Sequence, residues 1–265
     1  MSEVPENNVN KVENICIPEN LVYERPETLY AKPNHYCPGC GHGTVHKIFM
    51  EVIDEMGLAH DTIGVAPVGC SVFAYYYMNV DMTQAAHGRA CAVATGIKRV
   101  FPEKIVYTYQ GDGDLAAIGG NETLHAANRG ENILAIFINN GNYGMTGGQM
   151  APTTLEGMVS TTSPYGRNIE TMGHPLKMAD LIAPLPGVCF VTRQSVHKVS
   201  NIRKTKKALE KAIKYQQEKR GFCLVEVVSN CPSSWKMTPI EANKFVEEKM
   251  LPFYPLGDIK VPEVK

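Results

Sequence analysis

Gly111-Asp112-Gly113-Asp114 follows a strand-like run, Lys104–Gln110, and precedes a helix-like stretch, Leu115–Arg129; a second apolar run, Asn132–Asn139, then ends in Asn139-Asn140. Glycines between a strand and a helix form a turn that lets main chain approach a phosphate. Gly111-x-Gly113-x-x-Ala116 also satisfies a loose dinucleotide fingerprint. Two observations reject that reading. Asp112 and Asp114 would press carboxylates towards a pyrophosphate, which is repulsive unless a divalent cation lies between them. The next strand ends in Asn139-Asn140 and lacks the acid that holds a ribose hydroxyl. A divalent cation resolves the repulsion. Magnesium takes a near-octahedral set of oxygens from one or two side chains, phosphates and water. Asp112 at one strand tip offers a carboxylate, Asn140 at the next offers an amide oxygen, and the following loop, Gly141–Gln149, can turn a main-chain carbonyl inward.

Outward from this point the pattern alternates. Helix Thr44–Met56, strand Thr62–Ala66 and helix His87–Val100 precede the quoted unit; helix Ser195–Gln217 and strand Phe222–Val228 follow it. Such alternation predicts an α/β fold, a mostly parallel sheet with helices on both faces, which binds ligands beyond the carboxyl ends of its strands. Residues 1–34, rich in Pro, Asn and Glu, read as an extended arm on a surface or partner, and 35–265 as one cofactor-binding domain. The segment 141–175 reads as a long functional or partner-contacting loop.

The chain has 265 residues, 26 Lys+Arg against 27 Asp+Glu, and 44% hydrophobic residues. This balance supports a sizeable core and excludes a broad electrostatic claim on nucleic acid or an anionic membrane. Nine basic residues between 196 and 220 form a local exception that reads as a solvated helix face, with docking of an acidic electron carrier or a nucleic acid as the alternative. No apolar run approaches the roughly 18–20 residues that span a bilayer. The polar amino terminus resembles neither a secretory signal nor a transit peptide, so the expected location is cytoplasmic.

Eight cysteines in a reducing compartment point to metal, redox or plain burial rather than a disulfide framework. Only Cys37-Pro38-Gly39-Cys40 is closely spaced. By itself it suits a redox dithiol, zinc or an iron–sulfur cluster. Cys70 lies in the turn Val68-Gly69-Cys70-Ser71 and Cys231 in Asn230-Cys231-Pro232, each just after a strand, where ligand-bearing loops gather. Cys91, Cys189 and Cys223 sit inside apolar stretches and read as core thiols; Cys16 stays unassigned.

Gly-Asp-Gly followed some 25 residues later by Asn-Asn resembles the thiamine-diphosphate signature. Together with Cys37–His42, Gly69-Cys70-Ser71, His87-Gly88-Arg89 and Tyr143–Gln149, the chain resembles the β subunit of 2-oxoacid:ferredoxin oxidoreductases from about residue 20 to 260. The resemblance implies a thiamine-diphosphate-binding fold. It implies a 4Fe–4S cluster on Cys37, Cys40, Cys70 and Cys231, and Mg²⁺ on Asp112, Asn140 and the Asn142 carbonyl. It implies thiamine-diphosphate contacts from Val68, Gly69, Cys70 and Ser71, from Ala86, His87, Gly88 and Arg89, and from Gly113, Asp114, Gly144 and Met145. His87 and Arg89 are the candidate catalytic residues.

The implied reaction oxidatively decarboxylates a 2-oxoacid with coenzyme A to acyl-CoA, carbon dioxide and reduced ferredoxin, in complex with α/γ-type subunits. The thiamine-activating glutamate would come from a partner, since no motif here offers one. Some relatives carry a lysine shortly after the Gly-Cys-Ser turn; here Val72, Phe73, Tyr75, Tyr76 and Tyr77 follow. That aromatic wall favours a branched-chain 2-oxoacid of the 2-oxoisovalerate type over 2-oxoglutarate. Two rival classes are a non-redox thiamine-dependent decarboxylase and a non-enzymatic zinc-binding assembly subunit.

Overall fold

The computed structural model describes residues 22–263. Strands β1 (Thr62–Ala66), β2 (Asp81–Gln84), β3 (Ile105–Gly111), β4 (Leu134–Asn139), β7 (Val188–Ser195), β8 (Phe222–Val228) and β9 (Gly257–Lys260) form one sheet in the order β2-β1-β3-β4-β8-β7-β9. All neighbours pair parallel except β7 with β9. A short antiparallel hairpin, β5 (Asn142–Tyr143) with β6 (Gln149–Met150), stands apart.

The sheet is covered on both faces. Helices α1 (Gly41–Glu55) and α5 (Val199–Gln217) pack Val45, Phe49, Leu209 and Ile213 against Tyr107, Ile136 and Val225. Helices α2 (Ala90–Val100), α3 (Gly120–Asn128) and α4 (Met178–Ile182) pack Ala94, Ala126 and Ile182 against Val106, Phe137 and Leu224. Every residue of β4 and β8 is buried. Strands enclosed on two sides read as continuous apolar runs, which is why their limits are legible without alternation. Near the carboxyl end, Pro232–Trp235 makes one turn and α6 (Pro239–Phe245) begins with a capping box between Thr238 and Glu241.

The chain passes from β1 outward to β2 and then back across β1 to β3. This reversal opens a crevice beyond the carboxyl ends of β1 and β3, the switch point at which open α/β sheets bind ligands. The turns 67–71 and 112–114 border it directly.

Several expectations change. The helix expected at Leu115–Arg129 is two pieces, a π-helical turn over Gly113–Ile118 and then α3. The break falls at Gly119, where a Cβ would meet the main chain of Gly88 and Asp114. The helix expected from His87 starts at Ala90, which leaves His87–Arg89 in the turn, and Ser195 belongs to β7 rather than α5. Strands β2, β7 and β9 had no clear sequence signal. The loop 141–175 is tied down by buried Arg167, which donates to the carbonyls of Ala151, Pro152, Thr154, Met172, Gly173 and His174. Of the expected arm, residues 22–34 lie on the chain's own surface: Thr28 hydrogen-bonds Asp54 and Met50, and Leu29 pairs with Met78. Residues 1–21, Cys16 among them, lie outside the described part. Among the described residues no helix is long and apolar enough to cross a membrane.

Candidate functional site

Two adjoining clefts lie at the switch point. The larger, about 350 Å³, is lined by Cys37, Cys40, Cys70 and Cys231 together with Tyr36, Met145 and Ser234. The smaller, about 120 Å³, is lined by Val68, Gly69, His87, Gly111–Asp114, Asn142 and Tyr143. Cys70, Asn140, Gly144 and Met145 border both. Gly144 has no side chain for a packing reason: a Cβ there would lie 3.1 Å from Cys70 Sγ and 3.5 Å from Cys231 Sγ.

The four cysteines arrive from three loops. Cys37 and Cys40 precede α1, whose first amide, that of Gly41, donates to Asn230 Oδ1 at 2.8 Å; Asn230 Nδ2 returns a bond to the Gly39 carbonyl. That exchange pins the Cys37–Cys40 turn to the loop of Cys231. All seven cysteines among the described residues are free thiols. Burial, reinforced by their mutual repulsion as thiolates, pushes Cys40 and Cys70 up to about 12. Cys40 and Cys70 would ionise together only around shared cations. Among the described residues no three His, Cys, Asp or Glu side chains gather tightly enough for one ion. A tetrahedral zinc, with bonds of about 2.3 Å, draws its ligands to a point. The thiols here line one cavity together, and that lining fits a polynuclear cluster held at its corners.

The second cleft is an oxygen site. Asp112 is buried, and its carboxylate accepts from the Thr153 hydroxyl at 2.8 Å and from the amides of Asn142 and Gly113 at 3.1 Å. Burial outweighs these donors and raises its pKa to about 7. Asn142 Oδ1 is buried without a hydrogen-bond partner, and Asn140 Oδ1 lies 3.3 Å from the Asn142 amide. A costly buried carboxylate beside an orphaned amide oxygen suits a hard divalent cation. Asp114 behaves differently. Its carboxylate accepts from Gln110 Nε2 at 2.5 Å, from His87 Nδ1 at 2.6 Å, and from the amides of Val68 and Gly88 at 3.1 Å.

The family of the thiamine pyrophosphate enzyme, C-terminal TPP binding domain, matches residues 67–227. The chain is 46% identical over 245 residues to the ketoisovalerate oxidoreductase subunit VorA of Methanothermobacter marburgensis, covering 92% of this chain and 51% of that one. It is 38% identical over 251 residues to the 2-oxoglutarate synthase subunit KorB of Methanocaldococcus jannaschii, covering 92% and 87%. The chain belongs to the thiamine-diphosphate-binding β subunits of 2-oxoacid:ferredoxin oxidoreductases. It spans about half the length, 51%, of the ketoisovalerate relatives it matches. A solved structure, 2-oxoglutarate:ferredoxin oxidoreductase from Magnetococcus marinus with 2-oxoglutarate, coenzyme A and succinyl-CoA bound, shares the fold. Its TM-score is 0.75 at 25% identity, over 92% of this chain and 87% of that one.

Placed in this β-subunit fold, the sequence-derived residues separate by role. Val68, Gly69, Cys70, His87, Gly113, Gly144 and Met145 line the small cleft. Asp114 borders it too, but its carboxylate is engaged by four donors from the surrounding turns, so it positions those turns and orients His87. Ser71 is buried and donates to the Tyr109 carbonyl, which makes it a support of the Cys70 turn. Arg89 pairs with Glu122 and is not among the residues of this chain that line the small cleft. Ala86 is exposed beside His87 and outside the lining. For Asn142, the side-chain Oδ1 is buried without a hydrogen-bond partner, a second oxygen of that residue beside the expected main-chain carbonyl.

The aromatic wall also changes. None of Val72, Phe73, Tyr75, Tyr76 or Tyr77 lines either cleft; Tyr75 and Tyr76 pack on each other, and Tyr77 holds His35 through its hydroxyl at 3.0 Å. His35 in turn reaches the Cys70 carbonyl at 2.6 Å. His35, Tyr36 and Thr153 were not singled out from the sequence. His35 and Tyr36 directly precede Cys37, the one available signal; Thr153 lay in an aperiodic loop. Six of the nine basic residues around α5 are paired: Lys198 with Glu247, Lys206 with Glu51 and Glu55, Lys211 with Asp258, Lys214 with Glu210, Lys219 with Glu103, and Arg220 with Glu218. A mostly neutralised, solvated face is what remains.

Proposed function

We propose that this chain is the thiamine-diphosphate and iron–sulfur subunit of a cytoplasmic complex with α/γ-type subunits. The complex oxidatively decarboxylates a 2-oxoacid with coenzyme A to acyl-CoA, carbon dioxide and reduced ferredoxin. The carrying observation is the shared wall: Cys70 borders the thiol-ringed cavity and the oxygen-lined cleft at once. Bound thiamine diphosphate supplies the decarboxylating chemistry, and a 4Fe–4S cluster supplies one-electron transfer.

This chain's residues divide that work. Cys37, Cys40, Cys70 and Cys231 would hold the cluster. Asp112, Asn140 and Asn142 would hold Mg²⁺ and, through it, the diphosphate, while Gly113 leaves room for the Tyr143 ring that lines the cleft. Asp114 holds His87 at the cleft mouth, where its imidazole can bind or exchange a proton with a ligand. A cleft of about 120 Å³ is small beside the roughly 300–1,000 Å³ of complete ligand pockets. The disparity supports a site completed by a partner subunit, which would also bring the activating glutamate. The lining by Val68, Tyr143 and Met145, and the 46% identity to a protein named for ketoisovalerate, favour a branched-chain 2-oxoacid.

The test is the iron, sulfide and thiamine content of the co-purified complex, prepared without oxygen, and its reduction of ferredoxin or viologen across 2-oxoacids with coenzyme A. The expected complex is brown, with about four iron per copy of this chain. A colourless complex that still decarboxylates would replace the reading with a non-redox thiamine enzyme. Zinc without iron or thiamine would replace it with an assembly subunit.

A further inference from the structure

We propose that Thr153 is a positioning residue for the magnesium site, held in place by Tyr254 from the far carboxyl-terminal segment. The inference rests on the reading that Asp112 is a magnesium ligand. Thr153 is fully buried, and its hydroxyl donates to Asp112 Oδ2 at 2.8 Å. The Asn142 amide donates to the same oxygen at 3.1 Å, whereas Oδ1 accepts from the Gly113 amide at 3.1 Å. A carboxylate offers about four acceptor positions. Thr153 therefore occupies Oδ2 and leaves Oδ1 the less engaged oxygen, which fixes how the carboxylate is presented.

Thr153 is itself braced. The hydroxyl of Tyr254, across 101 residues, donates to its carbonyl at 2.7 Å. The Tyr254 ring is fully buried and lies 5.4 Å from the Arg193 guanidinium. Arg193 donates to Glu226 at 2.7 Å, and Glu226 accepts from Asn139, the neighbour of Asn140, also at 2.7 Å. One buried ion pair thus stands behind both strand tips that carry the magnesium oxygens. Groups that orient a metal ligand typically govern affinity about 10–100-fold when removed.

The experiment titrates Mg²⁺ at fixed thiamine diphosphate into the full-length complex freed of both, by calorimetry, with melting temperature measured alongside. Thr153→Val should weaken Mg²⁺ binding by about 10–100-fold, and Thr153→Ser, which keeps the hydroxyl, should stay within about threefold of wild type. Tyr254→Phe touches no magnesium ligand and should weaken binding severalfold. Because the two residues act in series, the double Thr153→Val/Tyr254→Phe variant should bind no worse than Thr153→Val alone. Magnesium affinity within about twofold of wild type in Tyr254→Phe or Thr153→Val, equal losses for Val and Ser, or additive losses in the double variant would each overturn the proposal. Asp112→Asn separates the two levels: if it leaves Mg²⁺ binding intact, the magnesium assignment itself is wrong, whatever Thr153 does.

Discussion

Replacing Gly113 with alanine places a methyl carbon 2.3 Å from Cε1 and 2.5 Å from Cδ1 of Tyr143. Carbon atoms pack at about 3.5–4.0 Å, so the ring must withdraw by about 1.2 Å or more. Gly113 lies in a right-handed π-helical turn and is not among the glycines of positive φ, so backbone strain adds nothing and the clash is the whole effect. Overpacking of this kind costs about 1–3 kcal/mol. Tyr143 lines the cofactor cleft, so the displacement falls on ligand binding, and at about 1.4 kcal/mol per tenfold the dissociation constant of Mg²⁺–thiamine diphosphate rises about 5–150-fold. Calorimetry on the assembled complex measures it. Tyr143→Ala supplies the control, because adding Gly113→Ala to that variant should cost nothing more once the ring is gone. If Gly113→Ala binds the cofactor within twofold of wild type, or if its loss persists undiminished on the Tyr143→Ala background, the packing argument fails.

Three further outcomes are expected. Cys231→Ser should lower iron from about four per chain, whereas Cys223→Ser, a change in the core at β8, should keep the iron and lose only stability; metal analysis of anaerobically prepared complexes decides. His46 is held neutral by burial, its pKa lowered to about 4. The unfolded chain takes up that proton near pH 6.5, so this contribution to stability is complete above pH 6.5. It is lost as pH falls towards 4, by about 3 kcal/mol in total. Denaturant titrations of His46→Gln should show a shallower decline across that window, and an unchanged slope would refute the assignment. Lys204→Glu with Lys207→Glu should change ferredoxin reduction less than about twofold at physiological salt, because six of the nine cations between 196 and 220 are paired and the few left over make a patch too small to outlast screening; a larger loss would reinstate that helix as a docking face.

The sequence by itself determined strands β1, β3, β4 and β8, the placing of Asp112 and Asn140 just beyond two of them, and the grouping of the cysteines on loops. Each of these is local. β3, β4 and β8 are enclosed on both faces and read as unbroken apolar runs, and Asp112, Asn140, Cys70 and Cys231 each sit in the turn just after a strand, so position in the motif dictates position in space. β7 was illegible because it carries Arg193, a charge that signals loop until its partners Glu226 and Asp180 are seen. Whether a motif residue faces the cleft also needed the tertiary structure. Arg89 and the aromatics at 73–77 have the chemistry of cleft residues, but a turn's sequence does not state which way its side chains point; helix α3 captures Arg89 through Glu122, and the aromatics pack among themselves and on His35. Thr153 is the opposite case, an unremarked residue in an aperiodic loop. Only the fold brings it across 41 positions to Asp112, because a hydrogen bond between distant segments depends on where the chain returns and leaves no periodicity behind.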